Sequence, residues 1–156
     1  MVDDYSAHMI AHNLIRQLAA DQRLAEKCVE LYGEAPRCFL DDDSEAGDEP
    51  RILATPDTTS GGCGQDDEIE IRLVISARDR DADAGQPQPD TDGLSQMIPA
   101  GAALDVFASE TWRAVQDATP GAILLGRSID WDFASFAPLR FAVFTLNYRQ
   151  IHSYGD

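Results

Sequence analysis

The sequence predicts an α+β fold, a mainly antiparallel β-sheet of about four to five strands packed against two helices. Residues 69–75 carry a large aliphatic side chain at every second position, with Glu70 and Arg72 between them, which is typical of a half-buried strand. Segments 5–31 and 101–118 carry apolar residues at helical spacing, which indicates an amphipathic helix on each side of that strand in the chain. Segments 122–131 and 138–151 are apolar and are joined by a short connection, so they predict an antiparallel hairpin.

The composition limits the classes of partner. The chain has 156 residues, which favours a single domain over 1–156, and its net charge is −16, from 28 Asp and Glu against 12 Lys and Arg. Such an acidic chain would be repelled by nucleic-acid phosphates and by an anionic membrane surface. No run of about 18 apolar residues occurs, so we predict no transmembrane helix. The N-terminus has no apolar stretch beside basic residues, so we expect no signal peptide.

The predicted central strand, residues 66–77, should have one dry face and one wetter face. The dry face holds Ile69, Ile71, Leu73 and Ile75, and the wetter face holds Glu70, Arg72, Val74 and Ser76. β-Branched residues on the dry face fit a pleated, half-buried surface. We expect the helices to cover that face and the C-terminal strands to pair beside it.

The first helical segment contains a possible break. Within 5–31, Asp21 could cap a second set of turns, so the segment is either one interrupted helix or two short helices. Gly33 and Pro36 follow it and are expected to end it, because glycine favours the residue after a helix and proline cannot continue one.

The remaining segments predict short strands and loops. Residues 34–40 could hold a short extended piece, and 50–55 could form a short strand. The acidic run at 41–49 predicts a solvated loop, because like charges repel and extend the chain. Residues 56–65 have the Pro and Gly content of a turn. Residues 78–101 lack apolar periodicity and form a long acidic loop from about 79, and loops of this length are usually functional or disordered.

Two groups of residues could bind a metal ion. His8 and His12 lie four apart on one face of the first helix, but no third ligand follows at helical spacing, so surface histidines are the favoured interpretation. An EF-hand calcium loop has acidic residues at a spacing close to that of Asp79, Asp81, Asp83 and Asp90. However, Ala84 stands where that loop needs glycine for its sharp turn. We therefore predict no metal site.

The cysteines do not predict a disulfide framework or a catalytic centre. Cys28, Cys38 and Cys63 form no CxxC pair, which favours reduced thiols. Cys63 lies between glycines, but the histidines stand far away near the termini, so no base is at hand to activate it. No phosphate-binding glycine motif and no Ser-His-Asp signature is found. We predict no catalytic residue, no cofactor and no enzymatic activity.

The order of the predicted elements and their residue patterns resemble those of a known family. The segments that carry the resemblance are DQRLAEKCVELYGEAP (21–36), PRILATPDT (50–58), EIEIRLVISARD (68–79), ALDVFASETWRAV (103–115), ILLGRSIDWDF (123–133) and PLRFAVFTLNYRQI (138–151). In this order the chain resembles the tail-terminator proteins of long-tailed bacteriophages and prophages, also called tail-completion or minor tail proteins.

The resemblance implies a structural role in virion assembly. Such proteins form a ring, expected here to be hexameric, that caps the tail tube, ends its polymerisation and joins it to the head connector. The implied partners are further copies of the chain, the tail-tube protein and the head–tail connector. DNA would pass through without specific binding, and no membrane is involved. The implied location is the cytoplasm of the bacterial host during assembly, and then the virion tail.

Candidate contact residues follow from the ring hypothesis, because a ring needs a heterologous interface that closes. The candidates for subunit or tail-tube contacts are Glu70, Arg72, Arg127, Phe133, Phe136, Arg140 and Arg149. The candidates for acidic loops that face the lumen are Asp41, Asp42, Asp43, Asp79, Asp81 and Asp83. Carboxylates there would repel DNA phosphates and ease its passage. Ordinary solvated surface is the alternative interpretation of these loops.

Two other functions remain open at this level. A head–tail connector or neck component would also close into a ring of small subunits. A soluble cytoplasmic α+β enzyme or ligand-binding subunit, with Asp or Glu at its site, belongs to a different class. Size-exclusion chromatography with light scattering would separate the ring-forming functions from a monomeric enzyme.

Overall fold

The computed structural model describes residues 7–41, 49–61, 66–90 and 92–150, and for 133–136 it describes the backbone alone. The helices within these ranges are α1 (Ala7–Ala20), α2 (Gln22–Tyr32) and α3 (Pro99–Asp117), with a 3₁₀ turn at Asp83–Gly85. The strands are β1 (Arg37–Leu40), β2 (Arg51–Ser60), β3 (Asp67–Arg78), β4 (Gln88–Pro89), β5 (Gln96–Met97), β6 (Ile123–Phe136) and β7 (Leu139–Gln150). These elements confirm the predicted α+β class.

The main sheet has five strands in the order β1-β2-β3-β7-β6. β1 and β2 are parallel, and the other three pairs are antiparallel, so the sheet is mixed but mainly antiparallel, as predicted. β4 and β5 form a separate two-stranded hairpin. β3 lies at the centre of the main sheet, which agrees with its clear alternation in the sequence.

The predicted dry face of β3 is confirmed. Leu73 pairs with Ala54 of β2 and with Phe144 of β7. Ile71 pairs with Leu146 of β7. All five of these side chains are 0% exposed. Alternation in three adjacent strands therefore places one continuous apolar surface on the same side of the sheet.

The helices cover this apolar surface. α1 packs against β1 and β2, while α3 packs against β3 and β7 and also contacts α2. The largest helix side chains buried in the core are Ile10, Leu14 and Leu18 of α1, Leu24 of α2, and Leu104 and Phe107 of α3. Burial of each such side chain stabilises the fold by about 1.5–3 kcal/mol.

The first helical segment is two helices joined at Asp21. The Asp21 carboxylate accepts a hydrogen bond from the Leu24 backbone N–H at 2.9 Å and so caps α2. Gly33 ends α2 with φ of 87°, and its N–H donates to the Val29 carbonyl at 2.9 Å. This left-handed conformation favours glycine, so both predicted helix ends are confirmed.

Two strands run further than the sequence predicted. Residues 56–60 were expected in a turn, but β2 continues through them to Ser60 because β3 offers partners up to Glu68. A bulge between Pro56 and Thr58 accommodates the proline. β6 likewise continues through 132–136, so that only Ala137 and Pro138 form the turn to β7.

Short secondary-structure elements occupy part of the long loop that was predicted from about residue 79 to residue 101. The 3₁₀ turn and the β4–β5 hairpin lie within the segment that was predicted to be one acidic loop. Both elements are too short to show a hydrophobic period, which is why the sequence did not reveal them.

Candidate functional site

The face of the sheet opposite the helices, termed the open face, carries a band of half-buried apolar side chains. Phe39, Leu53, Val74 and Val143 are neighbours in one row across β1, β2, β3 and β7. The predicted wetter face of β3 is therefore only partly wet. Ser76 on this face is 0% exposed, contrary to expectation, because its small side chain lies between the larger Arg51 and Phe141 of the adjacent strands.

Three of the predicted contact residues lie together on the open face. Arg72 is half-exposed, and its guanidinium lies 3.5 Å from the Asp57 carboxylate. Glu70 accepts a hydrogen bond from the Thr58 hydroxyl. Arg149 is exposed on β7, opposite Glu68 of β3. Exposed pairs of this kind stabilise a fold little, so these side chains are able to exchange their partners on association.

Arg127 lies on the opposite side of the sheet. Its guanidinium carbon stands 4.5 Å from the ring centroid of Trp112 in α3, a cation–π contact that ties the edge strand β6 to the helix layer. The side chains of Phe133 and Phe136, the two predicted aromatic contacts, lie outside the described part of the chain.

Arg140 and Asp79 form a buried ion pair with each other. The Arg140 Nε and Nη2 atoms donate to the Asp79 carboxylate oxygens at 2.6 and 2.9 Å. The two side chains are 5% and 8% exposed. Donation of these hydrogen bonds to the Asp79 carboxylate raises the pKa of Arg140. Two expectations require correction, since Arg140 pairs within its own chain and Asp79 is not free to face a lumen.

The register between β3 and β7 explains why Arg140 and Asp79 form this ion pair. Arg140 pairs with Ala77 of β3, on the face that the helices cover. The chain leaves β3 after Arg78, and the Asp79 N–H donates to the Pro138 carbonyl at 2.9 Å, which holds Asp79 beside the start of β7. Burial of a cation on the core side requires a paired anion, and Asp79 supplies it.

The other predicted acidic residues take different positions. Asp81 and Asp83 are exposed, and the Asp81 carboxylate accepts a hydrogen bond from the Ala84 N–H at 2.9 Å. Asp41 lies 2.9 Å from the His8 imidazole, at the start of the acidic run. Asp42 and Asp43 lie outside the described residues. Among the described residues no group of three His, Cys, Asp or Glu is arranged to hold a metal ion.

A cavity of about 190 Å³ lies beside the buried ion pair, between the end of α2 and the start of α3. Its apolar walls are Leu31, Tyr32, Ala77, Ala84, Pro99, Ala100 and Ala103. Its charged lining is Arg78, Asp79, Arg80, Asp81 and Arg140. The Asp79 and Arg140 side chains satisfy each other, so neither is poised for proton transfer to a bound molecule.

The two described cysteines are not set up as nucleophiles. Burial raises the pKa of Cys28 to about 12 and that of Cys38 to about 11. Both thiols therefore stay protonated near neutral pH, and a thiol is a weak nucleophile. Cys63, the thiol in the glycine-rich segment, lies outside the described residues.

The outer edge of β6 is the feature that the sequence did not indicate. β6 is the last strand of the sheet, and Ile123 and Leu125 on it are 51% and 47% exposed. A bulge between Leu124 and Gly126 leaves Leu125 without a partner residue in the register of β7. The run Ile123–Leu125 was a possible signal, since three consecutive apolar residues cannot all face one side of a strand.

No family model matches the sequence, and no curated protein matches it significantly. In the described part of the chain, no helix has the length and hydropathy needed to cross a membrane. The arrangement of the sheet and its surfaces is thus the basis for a functional interpretation.

Proposed function

We propose that the chain is a structural subunit that assembles with copies of itself into a closed ring of the tail-terminator type. The ring, expected to be hexameric, caps a phage tail tube, ends its polymerisation and joins it to the head connector. The observation that carries this proposal is the long outer edge of β6, with its exposed apolar side chains.

An edge of this kind favours association. β6 has 14 residues, and no described strand pairs with its outer side. Such an edge presents unpaired backbone N–H and C=O groups, and natural proteins normally shorten, charge or cover it. The exposed Ile123 and Leu125 do the opposite, because they add apolar surface to an edge that no described strand covers.

The opposite edge of the sheet, formed by β1 and β2, differs from the β6 edge. This difference favours head-to-tail contact between copies. β1 has only four residues, so β2 extends beyond it from Thr55 to Ser60. Residues 57–60 there are exposed and polar, and Pro56 lacks a backbone donor. A subunit with two unlike sides forms heterologous contacts, and these generate rings where the rotation closes.

The charge supports a conduit for DNA. The chain carries −16, and the exposed Asp81 and Asp83 belong to an acidic surface loop. A ring wall of this composition repels phosphates, so DNA slides past without binding. The buried pair of Asp79 and Arg140 takes no part in this surface.

The first test is the mass of the assembly. We expect the wild-type protein to sediment at about six times its 17.1 kDa chain mass. The variant Ile123→Ser/Leu125→Ser should sediment as a folded monomer, because it removes the apolar edge without touching the core. Val29→Ser, at a helix position that is 50% exposed, is the matched control and should assemble normally. Unchanged assembly of the β6 variant would contradict the role of this edge.

A second test concerns the tail itself. If the ring ends polymerisation, adding it to growing tail tubes should stop their elongation, and the β6 variant should not. Electron micrographs would give the tube-length distribution in each case. Binding to the head connector without any effect on tube length would instead support the head–tail connector alternative.

A further inference from the structure

We propose that the β4–β5 hairpin of one copy inserts Leu94 into the apolar cavity beside Ala103 of a neighbouring copy. This contact rests on the self-association proposed above and names a second pair of surfaces for it. The occupant of the cavity is thus another copy of this chain, rather than a small-molecule ligand.

Leu94 lies between β4 and β5, among described residues that are joined by backbone hydrogen bonds. The Asp90 N–H donates to the Ser95 carbonyl at 2.8 Å, and the Gly93 N–H donates to the Asp90 carbonyl at 2.9 Å. The Leu94 N–H donates to the Asp92 carboxylate at 2.9 Å. Gly93 has φ of 70°, a conformation that glycine adopts without strain. Leu94 is nevertheless 88% exposed, the largest value among the exposed large hydrophobic residues of the described chain.

The cavity has the size and lining to accept such a side chain. Its volume is about 190 Å³, and an apolar protein cavity of roughly 150 Å³ is large enough to bind benzene. Most of its wall comes from the aliphatic or aromatic side chains already described, and Ala103 lies on the α3 side. Leu94 does not fill the cavity of its own chain, since it is almost fully exposed.

The charges around the two surfaces are complementary. Two of the three arginines in the cavity lining are paired within the chain, Arg140 with Asp79 and Arg78 with Glu49. Arg80 is exposed on that lining. The hairpin tip carries the exposed carboxylate of Asp92 two residues before Leu94. Opposite charges at the rim of an apolar contact fix its orientation and suppress wrong partners.

Two single variants test the contact. Leu94→Ser removes the inserted side chain, and Ala103→Leu fills the cavity. Each should raise the dissociation constant of the assembly by about tenfold or more, as measured by light scattering over a dilution series. Val29→Ser is again the control, because Val29 is an apolar side chain, 50% exposed, on another surface. Thermal unfolding of each variant would show that the monomer is folded.

A mixing experiment makes the test specific. A Leu94→Ser subunit keeps its cavity, and an Ala103→Leu subunit keeps its hairpin tip, so a mixture can form one intact contact. We expect the two variants to assemble poorly alone but to give 1:1 heterodimers when mixed, by native mass spectrometry. A mixture with no heterodimers would overturn the proposal.

Other outcomes separate this proposal from the ring itself. If Leu94→Ser assembles as the wild type does, the hairpin contact is wrong while the ring stands. If the wild-type protein is a monomer at every concentration, both are wrong.

If Ala103→Leu does not fold, the charge reversals Arg80→Glu and Asp92→Arg, made singly and together, replace it as the test. Each reversal alone should weaken assembly and the pair should restore it, whereas failure to restore would overturn the proposed contact.

Discussion

At the scale of single residues, the buried pair of Asp79 and Arg140 constrains its surroundings most strongly. Gly85 packs directly against it, because a Cβ atom built at this position would lie 2.6 Å from the Asp79 Oδ2 atom. The Asp79 carboxylate cannot move aside without breaking its two hydrogen bonds to Arg140. The glycine is thus required by space, not by backbone conformation.

We expect Gly85→Ala to lower the free energy of unfolding by about 1–3 kcal/mol, the usual cost of overpacking a tight site. Gly126→Ala is the control, because nothing lies within 4 Å of a Cβ atom built there. Urea denaturation of the two variants beside the wild type would measure the difference. Equal stability of the two variants would show that the carboxylate is free to shift.

The sequence could not reveal this pair. Asp79 and Arg140 are 61 residues apart, and Asp79 stands at the start of a segment whose composition suggests a surface loop. Their contact depends on the register of β3 with β7 and on the turn after Arg78, and neither has a local signal. Exposed residues such as Arg72 and Arg149 were easier to place, because alternation within a strand decides which face they take.

At the scale of elements, Arg113 joins the start of α2 to α3. Its guanidinium donates to both Asp21 carboxylate oxygens, at 2.8 and 3.0 Å, and it also contacts Glu110 and Asp117. The hydrogen bond from Arg113, with help from the Leu24 N–H, lowers the pKa of Asp21 although burial opposes this. One carboxylate therefore caps a helix and holds two helices together.

This arrangement predicts a pH dependence of stability. Because the folded state lowers the pKa of Asp21, the contribution is present above its ordinary value of 3.8 and is lost as the pH falls through the lower folded value. Asp21→Asn keeps a capping side chain but removes the charge, so it should cost about 1 kcal/mol at neutral pH. At an acidic pH below the lowered pKa of the folded state the cost should shrink, because the wild-type carboxyl is then protonated.

Urea denaturation at the two pH values would measure this change. Asp105→Asn, at an exposed position on α3, is the control for removing one negative charge. A difference between Asp21→Asn and the wild type that stays constant with pH would contradict the ion pair as its cause.

The elements also show where prediction from sequence succeeds. The helices and β3 were predicted because their periodicity is local, and Asp21 and Gly33 carry known end signals. The lengths of β2 and β6 were underestimated, since a strand ends where its neighbour stops offering backbone partners. The additional residues of β6 matter for the proposed assembly, because they lengthen the outer edge of the sheet.

At the scale of the whole molecule, the sheet has one covered side, one partly apolar open face and two unlike edges. Composition alone indicated the net charge of −16 and hence the expected repulsion of DNA. It could not indicate which surfaces remain exposed, because exposure of Ile123, Leu125 and Leu94 follows from how the elements pack. These exposed surfaces are the physical basis for the assembly that we propose.

The most direct test of the central claim is negative-stain electron microscopy of the purified wild-type protein. The account predicts closed annuli of one size, with class averages that show rotational symmetry and an open centre. Monomeric particles at all concentrations, or open filaments without closure, would contradict it.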